Sequence, residues 1–155
     1  MRHGLRLISL GLLLLTAALA SCADDVDCSG VTRPMAKVRL CKADGSLDTI
    51  PNLTVTVLGS DSVLVNRDMN VTFLSLPLSY QKEESHWVLH YTEELSDTIH
   101  LTHTNTPYFL SPDCGYQMKQ EIKSASCSQH LAAQTEIKNA QILNDDAENL
   151  WIYFK

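Results

Sequence analysis

The sequence predicts an all-β domain: an antiparallel β-sandwich, Ig-like or Greek-key, of about eight or nine short strands. Three observations lead there. Apolar and polar residues alternate in short runs, and alternation marks a half-buried strand because successive side chains leave it on opposite faces. Turn residues interrupt those runs at roughly the 8–12-residue spacing of sandwich strands. No segment sustains an apolar stripe of helical period.

The first stretch lies outside that fold. Arg2 and Arg6 form a positive n-region, residues 7–19 an apolar h-region, and Ala20 and Ser21 supply the small residues of a cleavage site. The apolar run is shorter than the roughly 20 residues that span a bilayer. It therefore reads as a removable signal over residues 1–21, with an ordinary secretory signal as the competing reading. Leu19-Ala20-Ser21-Cys22 reads as a bacterial lipobox. A thiol at Cys22 can take a diacylglycerol thioether, and cleavage frees its amine for further acylation; two or more chains anchor a protein stably. Residues 22–33 then form a lipidated tether and residues 34–155 a single domain, an ordinary domain size. Asp24, Asp25 and Asp27 follow the lipid site directly. Such an acidic cluster resembles the surface-export signal of Bacteroidetes lipoproteins, with a plain solvated linker as the alternative. The expected location is the outer membrane, on its periplasmic or its cell-surface face.

Along the domain, residues 35–41 alternate Ala36, Val38 and Leu40 against Lys37 and Arg39, and Asp44-Gly45-Ser46 makes a turn. Residues 53–58 set Leu53, Val55 and Val57 opposite Thr54 and Thr56; residues 62–65 follow. Residues 71–78 are rich in β-formers, and Pro77 places their end at an edge or bulge. Residues 86–91 put Trp87, Leu89 and Tyr91 on one face and His86, Val88 and His90 on the other. Residues 97–104 form the next strand, residues 108–110 a short one bounded by prolines, and residues 116–126 a long one. Residues 135–143 and 150–154 close the chain, with a helical turn over residues 129–138 as a weaker option.

Charge and cysteines narrow the function. The whole chain carries a formal charge of −6, and removing the signal takes away two basic residues and no acidic one. No basic stripe remains to follow a phosphate backbone, so nucleic acid is excluded as a partner. With Cys22 lipidated, Cys28, Cys41, Cys114 and Cys127 remain. Four thiols in an exported chain suggest two disulfides, and three connectivities are open. Their wide spacing does not suit a zinc site.

No pattern spells out a reaction. A nucleophile elbow is absent. Glu83-Glu84, Glu93-Glu94 and Asp145-Asp146 fall in turns and read as solvated pairs. His86 and His90 share a strand face about 13 Å apart, too far for one metal, and the histidines read as solvated strand residues. No catalytic residue, metal site or cofactor is expected. Trp87, Tyr91 and Trp151 are the candidate ligand-binding residues, since exposed aromatics could stack on a sugar; Leu89 between Trp87 and Tyr91 favours a core face instead. Asp48-Thr49-Ile50, Asp61-Ser62-Val63 and Asp97-Thr98-Ile99 resemble O-glycosylation acceptors of exported Bacteroidetes proteins, which makes Thr49, Ser62 and Thr98 candidate acceptor residues.

Several segments taken in order resemble an uncharacterised family of small Bacteroidetes lipoproteins with the domain of unknown function 6452. They are Cys28 soon after the lipid site, Thr32-Arg33-Pro34, Leu74-Ser75-Leu76-Pro77-Leu78, Ser111-Pro112-Asp113-Cys114-Gly115-Tyr116, and Leu150-Trp151-Ile152-Tyr153-Phe154. The resemblance implies a β-fold and an envelope address, and it implies no reaction. It also implies a Cys28–Cys114 bridge, which leaves Cys41 with Cys127. The expected function is non-enzymatic: an envelope accessory or interaction module that meets another envelope protein, such as an outer-membrane β-barrel, through a strand edge or loops. The alternative is a carbohydrate- or peptide-binding module, and a hydrolase comes third.

Overall fold

The computed structural model describes Cys28 and residues 33–155. The signal, the lipid-site Cys22 and the Asp24, Asp25 and Asp27 cluster lie outside the described residues. Ten strands make two sheets: β1 (Ala36–Cys41), β2 (Leu53–Val57), β3 (Val63–Asp68), β4 (Phe73–Leu76), β5 (Glu84–His90), β6 (Ser96–Ser111), β7 (Gly115–Cys127), β8 (Ala132–Ile137), β9 (Gln141–Ile142) and β10 (Leu150–Phe154). The smaller sheet has the order β4-β1-β10-β8 and the larger β3-β2-β5-β6-β7-β9. The fold is a β-sandwich. Its pairs are antiparallel except β1 with β10, which run parallel from Val38↔Leu150 to Cys41↔Tyr153.

The alternation seen in the sequence builds the core. Ala36, Val38, Leu40, Leu74, Leu76, Leu150, Ile152 and Phe154 come from the smaller sheet; Leu53, Val55, Trp87, Leu89, Ile99, Leu101 and Ile122 come from the larger. Asn149 is buried at the entry to β10, with its side chain fully engaged. It accepts the Lys37 N–H at 2.8 Å and donates to the carbonyls of Asn139 and Gln141. A buried amide satisfied on both ends is position-specific, and this one ties β1, β10 and the approach to β9 together.

Two strand readings change. Residues 97–104 and 108–110 belong to one sixteen-residue strand, β6. Pro107 does not end it, because β5 leaves β6 after the Glu84↔Thr102 pair and from there β6 is paired only with β7. A proline in a strand needs one unpaired side, and Pro107 has it. The run over residues 135–143 is two strands, β8 and β9, on different sheets, and β8 replaces the helical turn considered for residues 129–138.

Beyond Asn105↔Gln120, then, β6 and β7 form a two-stranded arm ending in the turn from Ser111 to Gly115. Gly115 has φ of +66°, which only glycine adopts freely.

Candidate functional site

The outer face of the smaller sheet carries an ordered row of aromatic and charged side chains. The strand register sets Phe73, Arg39, Trp151 and Glu136 side by side across β4, β1, β10 and β8. The Arg39 guanidinium lies 4.7 Å from the Trp151 ring centroid and 5.9 Å from that of Phe73. Lys138 Nζ lies 4.1 Å from the same Trp151 centroid. Glu148 accepts the Trp151 indole N–H and faces Arg39 at 3.5 Å. Glu136 accepts the Tyr153 hydroxyl at 2.6 Å and Lys138 at 2.9 Å. Its hydrogen bond to Glu136 pushes the Tyr153 phenol up to about 12, and the Tyr153 and Lys138 bonds hold the Glu136 carboxyl low. The row is therefore preformed, with its long side chains already ordered.

The three sequence candidates for ligand binding are separated. Trp87 is 1% exposed in the core and donates its indole N–H to the Pro77 carbonyl. A sugar cannot reach it, which corrects its place among the ligand-binding candidates. Tyr91 is half-buried: its ring meets Phe154 edge-on and its hydroxyl donates to Asp97. It also lines an open polar groove of about 640 Å³ with Thr54, Thr56, Asn66, Arg67 and His90. Trp151 lies on the outer face, but two cations stand within 5 Å of its centroid, so its π surface is already engaged.

Of the cysteines, Cys28 and Cys114 form a disulfide with Cα atoms 5.6 Å apart. Cys41 and Cys127 are free thiols, which corrects the expected second bridge. Strand alternation explains it. Ala36, Val38 and Leu40 face the core, so Cys41 points to the opposite face, where it is buried beside Arg39, whereas Cys127 ends β7 on the other sheet and packs against the core. Burial pushes both thiols up. Thr49 and Ser62 are exposed. Thr98 sits within β6 between buried Asp97 and Ile99, with its backbone exchanging two hydrogen bonds with Ser128.

The histidines also divide. His86 and His100 are directly cross-strand, and their Nδ1 atoms approach to 3.1 Å. His103 is buried, not solvated. Its Nε2 lies 2.9 Å from Ser85 Oγ. That distance suits a nucleophile and base, but Ser85 Oγ already accepts the Ser79 N–H and both side chains are buried. The pair instead joins a polar latch. Asn105 donates to the carbonyls of Ser79 and Lys82, and Gln120 donates to Ser79 and to Asn105. The latch holds the connection before β5 against the base of the β6–β7 arm.

Sequence reasoning missed Asp97. This wholly buried carboxylate accepts the Ser128 hydroxyl and the backbone N–H of His130 on one oxygen. On the other it accepts the N–H groups of Leu131 and Ala132 and the Tyr91 hydroxyl. Burial alone would raise its pKa, but the Ala132 and His130 N–H groups, the Ser128 hydroxyl and the Leu131 N–H outweigh that and hold it low. A lone Asp opening a strand carries no sign of this. The signal would have been the turn into β8, His130-Leu131-Ala132, whose N–H groups need an acceptor.

No group of three or more potential metal ligands occurs among the described residues. No curated protein and no solved structure matches the chain. The family of unknown function DUF6452 matches residues 52–154, from β2 through the end of β10. That span takes in Trp151 and its ordered neighbours on β4, β8 and β10, the arm and the Asp97 anchor: the chain belongs to the DUF6452 family.

Proposed function

We propose that this chain is a lipid-anchored, non-enzymatic interaction module of the bacterial outer membrane that docks another envelope protein, with an outer-membrane β-barrel as the leading partner class. The lipobox at Cys22 supports the address. The observation that carries the docking reading is the row Phe73–Arg39–Trp151–Glu136 on an outer sheet face. Trp, Tyr and Arg are the residues that most often dominate binding energy at protein interfaces. Holding them in place beforehand lowers the entropy cost of association. The same contacts weaken the sugar-platform reading, because the cations beside Trp151 occupy the surface a sugar ring would need.

The test is a mild-detergent pull-down of the tagged, acylated protein from its native membranes. A stoichiometric envelope protein that is lost in Arg39→Ala and Trp151→Ala, while both variants stay folded, is the expected result. A partner-free preparation, or a partner retained by both variants, sinks the reading.

A second reading has one observation behind it: the polar groove beside Tyr91, with Arg67, His90 and Asn66 on its walls, suits a polar carbohydrate or peptide ligand. Glycan or peptide binding abolished by Arg67→Ala would favour it.

A further inference from the structure

We propose that the tip of the β6–β7 arm is a second membrane contact, seated in the interfacial layer of the bilayer and held there by the Cys28–Cys114 bridge; this rests on the lipid-anchor reading of Cys22. Three independent features converge on the tip.

The first is composition. Residues 107–118 contain three aromatic residues and one charged residue, Asp113, whereas aromatics make up 6% and charged residues 19% of the chain. The second is exposure. Phe109 is 56% exposed and Tyr116 is 73% exposed, with Leu110 also exposed. Phe109 and Tyr116 are a cross-strand pair whose rings meet edge-to-face at 5.4 Å. Tyr108 is on the opposite face of the ribbon, with Lys119 Nζ 5.0 Å from its ring centroid. Apolar and amphipathic rings with a nearby cation suit the depth where headgroups meet acyl chains. The third is the leash. Cys114 is in the arm's own turn and is bonded to Cys28. Cys28 follows Cys22 by six positions, about 20 Å of extended chain. A lipid on Cys22 therefore holds the arm's turn close to the membrane surface.

The arm has no third strand among the described residues, and an isolated two-stranded ribbon is marginal in water. The Asn105–Gln120 latch supports its base, and the bridge holds its end. A rigid projection with an apolar tip enters an interface without first having to fold.

The experiment uses the full acylated protein carrying Phe109→Trp, reconstituted into phosphatidylethanolamine vesicles containing bromine-labelled phosphatidylcholine, with the parent protein as the blank for Trp87 and Trp151. Acylation is read separately, as the mass of the N-terminal peptide. With Cys22 acylated, the new indole is expected to be quenched at least about twofold, as befits a side chain some 5–10 Å into the boundary layer. Adding Cys28→Ser and Cys114→Ser should abolish the quenching. An acylated protein whose indole is unquenched overturns the inference and leaves the anchor standing. An unmodified Cys22 overturns the anchor reading itself. An indole shielded in native membranes but unquenched in vesicles identifies a protein as the occupant and also overturns the inference. Quenching that survives loss of the bridge overturns the role given to the disulfide.

Discussion

Replacing Asp97 with Asn changes one atom and one charge at the most heavily hydrogen-bonded side chain of the fold. Asp97 accepts five donors, three of them backbone N–H groups from residues 130–132. An amide presents one acceptor oxygen. In its better orientation that oxygen faces the Leu131 and Ala132 N–H groups, the Ser128 hydroxyl turns to accept from the new NH₂, and the His130 N–H is left facing a donor. An orphaned backbone donor costs about 1–3 kcal/mol, and the three bonds retained on that oxygen, from Leu131, Ala132 and the Tyr91 hydroxyl, drop from charged to neutral strength at about 1 kcal/mol each. The expected loss is about 4–6 kcal/mol, a large share of the roughly 5–15 kcal/mol that holds an ordinary domain together. In urea, with a slope near 1.5–2 kcal/mol per molar for a domain of this size, the unfolding midpoint should fall by about 2–4 M. The pH profile gives a second check. Because the folded Asp97 carboxyl lies below its unfolded value, its contribution is fully present above about pH 4 and is lost as pH falls through the folded pKa. The gap between parent and variant should be constant from pH 7 to about pH 4 and close below that. A loss under about 1 kcal/mol at pH 7, or a gap that widens on acidification, would refute the anchoring role.

The other predictions concern the latch, the core and the cysteines. Burial lowers the His103 pKa, only partly offset by Asn105, the Glu84 backbone and Glu83, so acidification should erode stability from about pH 6.5 downward as the unfolded imidazole takes up a proton; urea midpoints of His103→Gln should be flatter between pH 7 and 5. Trp87→Ala should lose about 3–5 kcal/mol in the same assay, whereas Trp151→Ala, on the outer face, should lose clearly less. Reducing the Cys28–Cys114 bridge, which joins residues 86 apart, should lower stability by up to about 4–5 kcal/mol, read as the shift in melting temperature with and without dithiothreitol. Alkylation with mass readout should label Cys41 and Cys127 slowly in the folded protein and fully after unfolding; a peptide linking the two would overturn their assignment as free thiols.

Much of the fold was legible because period-two patterning is a local property. Residues 35–41, 53–58 and 86–91 each carry enough alternation to declare both the strand and its buried face, and Ala36, Val38, Leu53, Val55 and Leu89 are core residues as that pattern demands. Leu89 correctly hinted that Trp87 belongs inside. The β6–β7 arm was not legible, because Pro107 reads as a strand end unless one knows that β5 has already departed. The second disulfide failed for a related reason. Counting cysteines says how many bridges could form, but the face and sheet of each thiol decide which do, and Cys41 and Cys127 sit on different sheets with Cys41 turned away from the core.

The sequence by itself determined the β-class, the inner face of most strands and the family, because these rest on residue order along one chain. It also carries the lipobox reading, which is a linear signal. The tertiary structure alone decided which residues meet. Arg39, Trp151 and Phe73 lie far apart in the chain and become neighbours only through the parallel β1–β10 pair and the β4 edge. Asp97 becomes an anchor only when residues 128–132 fold over it. Cross-strand registers and buried hydrogen bonds join residues that no local pattern links, so the docking row and the arm on which the functional proposals rest came into view only with the assembled sheets.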